Sequence, residues 1–168
     1  HDATHDSLTG LPNRVLFQDR LDQALQAARL HGKKLVVLLL DLDRFKEINN
    51  TLGHYNGDKV LKQVATRFGE LTQDEVTLAR MGGDEFAFLL PDINDEQNIL
   101  DMAAMIQKAM VPPFMIEGLS LDLQVSIGVA VSPEHGTDSD TLIQRADVAR
   151  YVAKEDQNGL VTYSFELD

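Results

Sequence analysis

Residues 80–86 read Arg-Met-Gly-Gly-Asp-Glu-Phe and run directly into the apolar stretch Ala87-Phe88-Leu89-Leu90. A glycine pair followed by two acids, set between strand-like segments, marks a hairpin tip that could carry chemistry. Gly82 and Gly83 let the backbone turn through positive φ and leave room for a bulky ligand, while Asp84 and Glu85 offer carboxylate oxygens to a divalent cation. The same Gly-Gly-Asp is ordinary turn chemistry, so the segment alone fits a structural hairpin equally well. A second segment, residues 34–58, reads KLVVLLLDLDRFKEINNTLGHYNGD. Its residues 35–40 are continuously apolar, as in a central strand covered on both faces, and Asp41 ends that strand. Asp43 stands where the N-cap of a helix beginning at Arg44 belongs, and capping is favoured over metal binding for it. Asp41 has no such role. A carboxylate closing a buried strand needs a cation or a hydrogen-bond network to offset its desolvation.

The elements that must position these groups alternate between helix and strand. Pro12 suits a first helical turn, Leu21, Ala24, Leu25 and Ala28 recur at helical spacing, and Gly32 ends that element. After the central strand, a short helix from Arg44 leads to a turn over residues 53–57, in which His54 is a structural turn residue. Val60, Leu61, Val64, Ala65 and Phe68 then mark the buried face of the next helix. Residues 76–81 and 86–90 make the hairpin. Ile99, Ala103, Ile106 and Met110 mark a helix that stops before Pro112-Pro113, with its methionines as core filler. Strict alternation from Leu121 to Val131 implies one long strand with a single buried face, partnered by residues 114–117. Leu142, Ala146, Ala149 and Ala153 define a last helix, and a closing strand is expected over residues 161–165. No internal repeat is visible. This order fits an α/β (α+β) sandwich with a mixed central sheet and flanking helices, in one domain spanning residues 1–168.

Composition narrows the function classes. A net charge of −12, without a basic block, argues against a nucleic-acid surface, and an acidic protein handling a nucleotide needs cations. With no cysteine there is neither a disulfide nor a thiolate zinc site, and no apolar run is long enough to cross a bilayer. No direct membrane contact is expected, and the placement expected is cytoplasmic, including the cytoplasmic part of a membrane-anchored protein. The chain opens on His1-Asp2-Ala3-Thr4 and is read as a piece of a longer protein.

Taken together, the motifs resemble the GGDEF domains, the catalytic domains of bacterial diguanylate cyclases. The resemblance runs through His5-Asp6-Ser7-Leu8-Thr9-Gly10-Leu11-Pro12-Asn13-Arg14, then Asp41-Leu42-Asp43-Arg44-Phe45-Lys46 with Asn49, then Gly53-His54 and Gly57-Asp58. It continues through Gly82-Gly83-Asp84-Glu85-Phe86, Ser126-Ile127-Gly128-Val129-Ala130, and Ala146-Asp147 with Tyr151 and Ala153-Lys154. Ordered motifs over nearly the whole chain carry far more weight than a lone Gly-Gly-Asp. The resemblance implies the palm-like fold of nucleotidyl cyclases, with Asp41 and Asp84 meeting although they lie 43 positions apart.

The activity so implied joins two GTP molecules head to tail into cyclic di-GMP and two pyrophosphates. By motif position, Asp41 and Asp84 are metal ligands, joined by the Leu42 carbonyl, for two Mg²⁺ or Mn²⁺ ions per active site. Glu85 belongs to the same catalytic cluster as a metal or proton-handling group, or orders the hairpin. Phosphates are met by the amides of Arg44, Phe45 and Lys46 at a helix N-terminus, by the Lys46 side chain and by Lys154. Asn49 and Asp58 read guanine, and Gly82 and Gly83 leave the substrate space. One domain holds one GTP, so turnover is expected of an antiparallel homodimer, beside sensory or EAL phosphodiesterase domains. Two departures stand out. Lys154 is followed by Glu155-Asp156-Gln157-Asn158-Gly159, with Asn158 where the family carries a phosphate-binding Arg; this favours, as the alternative, a catalytically weak or inactive GTP-binding regulatory domain. Asn50 replacing an Asp is minor. The family's Arg-x-x-Asp product site maps onto Gln73-Asp74-Glu75-Val76 and lacks both charges, so no inhibition through it is expected.

Overall fold

The apolar run of the sequence forms the middle strand of a five-stranded sheet in the computed structural model, which describes residues 2–73 and 75–168. Helix α1 (Arg14–His31) opens with Asn13 as N-cap, accepting from the Leu16 N-H at 3.2 Å, and closes at Gly32 in the left-handed region. Pro12 therefore lies ahead of the helix and not in its first turn, bridged instead to His5. Strand β1 (Lys34–Leu42) is followed by α2 (Phe45–Leu52), α3 (His54–Gly69), and the hairpin of β2 (Thr77–Gly82) and β3 (Glu85–Ile93). Helix α4 (Glu96–Ala109), capped by a reciprocal Asp95–Asn98 box, precedes the small β4 (Phe114–Ile116) and β5 (Leu119–Leu121) pair. Strand β6 (Val125–Ser132), helix α5 (Ser139–Glu155), strand β7 (Leu160–Thr162) and a 3-10 turn (Phe165–Leu167) complete the order.

The sheet runs β2-β3-β1-β6-β7, antiparallel except for the parallel β6/β7 pair, and is therefore mixed as expected. Period-two alternation along β1 divides the core. Val36, Leu38, Leu40 and Leu42 pack with Ile48, Val60, Val64, Phe68 and Ile106, so α2, α3 and α4 cover one face. Leu35, Val37 and Leu39 meet Phe17, Leu21 and Leu25 of α1 and Leu142 and Ala146 of α5 on the other. Asp41 continues this second series and points to the α1/α5 face.

Several expectations are corrected. Strand β1 extends through Asp41 to Leu42, and Asp43 does not cap α2. Its N-H donates to the Gln124 carbonyl at 2.8 Å and its carboxylate accepts from the Ser126 hydroxyl at 2.7 Å, so it is spent across the sheet. Arg44, left-handed at φ 63, is the N-cap, and the helix begins at Phe45. The turn foreseen over residues 53–57 is Gly53 alone, since His54 starts α3 and Gly57 lies inside it. The alternating run breaks between Leu121 and Val125, and β6 is buried on both faces. Its small alternate residues, Ser126, Gly128 and Ala130, admit a helix rather than water. Residues 114–116 pair with β5 and not with β6. The closing strand ends at Thr162, short of the expected residue 165. Of the α4 methionines and its cap, Met102 and Met110 are buried while Met105 is exposed. Asp74 and His1 lie outside the described residues, so the reading at residues 73–76 is described only in part.

Candidate active site

The hairpin register carries Asp84 to the end of β1. Glu85 stands opposite Asp41 across β1/β3, Ser126 stands opposite it across β1/β6, and the Leu42 N-H donates to the Asp84 carbonyl at 3.3 Å. Asp41, Asp84 and Glu85 are thus brought together. Asp41 is 5% exposed. Burial pushes the Asp84 carboxyl above the usual carboxylate range, and the negative charge of Asp41 pushes it further. Burial also raises Glu85, against the opposing charge of Arg150.

Helix α5 supplies the cations. Lys154 Nζ donates to Asp41 Oδ2 at 3.0 Å, and Arg150, which sequence reasoning missed, donates to the same oxygen at 2.7 Å. Burial works against both charges, yet hydrogen bonds to Asp147 for Arg150 and to Asp41 for Lys154 leave each pKa raised. Gly128 permits this approach: a Cβ there would lie 2.1 Å from the Arg150 N and 2.2 Å from the Ala146 carbonyl oxygen. The signal for Arg150 was a charge four residues after Ala146 and four before Lys154, at the edge of the buried alanine stripe.

The hairpin tip is held from behind. Gly82 and Gly83 adopt φ 136 and 50, and a Cβ on either would meet nothing within 4 Å, so the glycines serve the turn and leave open space beside it. Arg80 donates twice to the Gly83 carbonyl, at 3.0 and 2.8 Å, and once to Asp6 at 2.9 Å, while its own N-H donates to the Pro12 carbonyl. Asp6 in turn accepts from the Thr9 N-H and hydroxyl. The opening motif is therefore a brace for the hairpin. Arg80, a charge between buried Ala79 and Met81, was legible as an oddity in the strand.

The remaining residues form a second group on α2 and α3. The N-H groups of Glu47 and Ile48 turn back to the Arg44 carbonyl, which leaves the amides of Arg44, Phe45 and Lys46 ahead of the first helical turn. Phe45 is buried, so only its amide is available to a ligand, whereas the side chains of Arg44, Lys46 and Asp58 are exposed. Asn49 lies over Gly57, where an added Cβ would fall 1.8 Å from Asn49 Oδ1. The glycine read as a turn residue thus makes room for Asn49 beside Asp58. Asn158 lies past α5, its N-H donating to the Ala153 carbonyl.

Asp41 Oδ1 is buried and has no hydrogen-bond partner among the described residues. An orphaned carboxylate oxygen beside a second carboxyl and the Leu42 backbone fits a hard divalent cation whose coordination substrate oxygens and water complete. No cluster of three or more acidic or histidine ligands occurs among the described residues, so the protein set is a partial one. A cavity of about 530 Å³ lined by Arg20, His31, Lys33 and Glu75 lies at the other end of the sheet, away from the carboxylates. The carboxylate end, where the unpartnered oxygen is, is the candidate site. No described helix is long and apolar enough to cross a membrane.

The family described as diguanylate cyclase, GGDEF domain, matches residues 3–159. Diguanylate cyclase TpbB of Pseudomonas aeruginosa is 44% identical over 161 residues, covering 95% of this chain and 37% of that protein. The cyclic di-GMP phosphodiesterase PdeR of Escherichia coli is 42% identical over 158 residues, covering 94% of this chain and 23% of that protein. The solved GGDEF domain of PA1120 (TpbB or YfiN) from Pseudomonas aeruginosa superposes with a TM-score of 0.93 at 40% identity, over 97% of this chain and 96% of that one. The chain spans well under half the length of these curated relatives.

Proposed function

The chain belongs to the GGDEF family of diguanylate cyclase domains, which act in cyclic di-GMP signalling, and on that premise we propose that two copies of it, facing antiparallel, condense two GTP into cyclic di-GMP. The observation that carries the proposal is the meeting of Asp41 and Asp84 beside the unpartnered Asp41 Oδ1. In each half-reaction a ribose 3′-oxygen bonds to the α-phosphorus of the other GTP, the bond from that phosphorus to pyrophosphate breaks, and the hydroxyl proton leaves. Asp41 Oδ1, Asp84 and the Leu42 carbonyl would hold two Mg²⁺ or Mn²⁺ ions. Such ions, when bound, lower the pKa of the attacking hydroxyl and offset charge at phosphorus.

The chain's own residues do the rest. Glu85, whose carboxyl is raised by burial, handles the proton. Lys154, half-exposed at its side chain, exchanges Asp41 for the triphosphate. The amides of Arg44, Phe45 and Lys46 and the Lys46 ammonium meet phosphate oxygens. Asp58 accepts from guanine N1-H and the exocyclic amine, and Asn49 donates to the ring acceptors. Gly82 and Gly83 keep the approach open. Residues 1–168 act as one domain, in the cytoplasm, beside sensory or EAL domains.

Asn158 favours a second reading, in which the domain binds GTP weakly and regulates a neighbouring domain. A lost charge-assisted phosphate contact costs about 1.5–3 kcal/mol. The two readings part in one assay: the chain fused to a dimeric coiled coil, incubated with GTP and Mg²⁺ or Mn²⁺, and assayed for cyclic di-GMP by chromatography. Product supports the cyclase. GTP binding without product selects the regulatory domain.

A further inference from the structure

Asp41 is contacted by two cations of unlike character. Lys154 reaches it on a side chain that is 45% exposed, free to swing to another anion. Arg150 reaches it on one that is 14% exposed and is fixed at three points: its backbone against Gly128, its Nε to Asp147 at 2.9 Å, and its NH1 to Asp41 Oδ2 at 2.7 Å. When Lys154 leaves for a phosphate, Arg150 stays. Only Oδ1 of Asp41 then remains for another ligand, and a full positive charge sits one carboxylate away from it.

We propose that Arg150 is a positioning residue that acts as a built-in counter-cation for Asp41: it locks Oδ2, presents Oδ1 alone to the metal, and weakens divalent-cation binding until a nucleotide brings its own negative charge. This rests on the cyclase reading of the site for its purpose, though not for its test. A guanidinium satisfies a buried carboxylate through a rigid fork, so in the resting domain Asp41 Oδ2 has its partner without a metal. The local cation also opposes a second cation at the same carboxylate by Coulomb repulsion. Metal then enters with the triphosphate, whose oxygens supply both charge and missing ligands.

The test is Mn²⁺ titration of the nucleotide-free whole chain by calorimetry, paired with thermal unfolding with and without Mn²⁺. Arg150→Met should bind Mn²⁺ roughly tenfold more tightly than the wild type, the scale of one neighbouring charge. It should also melt lower without metal and recover when Mn²⁺ is added. Arg150→Lys should fall between the two. A merely structural role would weaken stability and metal binding together, so Mn²⁺ affinity in Arg150→Met equal to or below wild type overturns the proposal. If Arg150→Met does not fold, Arg150→Gln, which removes the charge but keeps an amide donor within the same packing, should give the tightening; no tightening there overturns it equally. A wild-type sequence that makes no cyclic di-GMP even as the coiled-coil dimer, but whose Arg150 variants show the Mn²⁺ response, defeats the cyclase reading and leaves Arg150 its role. Turnover with an unchanged Mn²⁺ response does the reverse.

Discussion

The two ends of the site are built to different standards. At the carboxylate end, Asp41 is buried, flanked in register by Glu85 and Ser126, and held by two cations, while the hairpin beside it is braced by Arg80 and Asp6. At the end proposed to bind the base, Asp58 is exposed and Asn49 is half-buried, supported mainly by the close approach of α2 to Gly57. Groups that face developing charge gain from fixed geometry and low dielectric, whereas groups that read a flat base edge need only correct spacing. On the proposed reading, the contrast gives rate to the first end and selectivity to the second.

The largest effect should come from removing the brace. Arg80→Ala leaves the Gly83 carbonyl without its two donors and Asp6 without its cation, and should destabilise the fold by about 3 kcal/mol in chemical denaturation. A loss below about 0.5 kcal/mol, the range of ordinary surface substitutions, would show that the hairpin is held by its strands alone.

The next effect is pH-dependent and distinguishes brace from cluster. Asp84 and Glu85 are raised from ordinary values of 3.8 and 4.5, chiefly by burial. Their contribution to metal-free stability is therefore full below those values and is lost as pH rises through the raised ones. Asp6 has the opposite sign. Burial raises it, but the Thr9 hydrogen bonds and the Arg80 charge outweigh burial and lower it, so its contribution is present above 3.8 and is lost as pH falls. Thermal melts of the metal-free protein across acid to neutral pH should show Asp84→Asn removing part of the decline toward neutrality. A variant with the wild-type pH dependence would place the Asp84 carboxyl in water.

A smaller effect probes the base-binding end. Gly57→Ala must displace Asn49, and should raise the KM for GTP about tenfold, the worth of one well-placed hydrogen bond, with kcat little changed. A fall in kcat at constant KM would erase the division between the two ends.

Much of this was legible in the sequence where one physical demand dominated. Asp41 was visible because a carboxylate ending an apolar run is costly without a partner, and Asp84 because two glycines and an acid between strands make a tip. The mixed sheet and its covering helices followed from periodicity. What escaped depends on proximity between distant segments. Gly57 looked like a turn, since sequence alone does not show Asn49 against it. The small residues of β6 looked solvent-facing because the part of α5 that covers Gly128, at Ala146 and Arg150, lies well beyond it in the sequence. Asp43 had the right neighbours for a cap, but Ser126 outbid the helix for its carboxylate. Arg150 was one charge among alanines until the helix was laid on Gly128.

The most direct measurement combines GTP affinity and cyclic di-GMP formation in the coiled-coil dimer of Asp84→Ala, beside the wild type. Loss of product with GTP binding retained within a few-fold is the expected result, because the proposed phosphate and base contacts lie on α2, α3 and Lys154. Product formed at the wild-type rate would contradict the assignment of catalysis to the Asp41–Asp84 end.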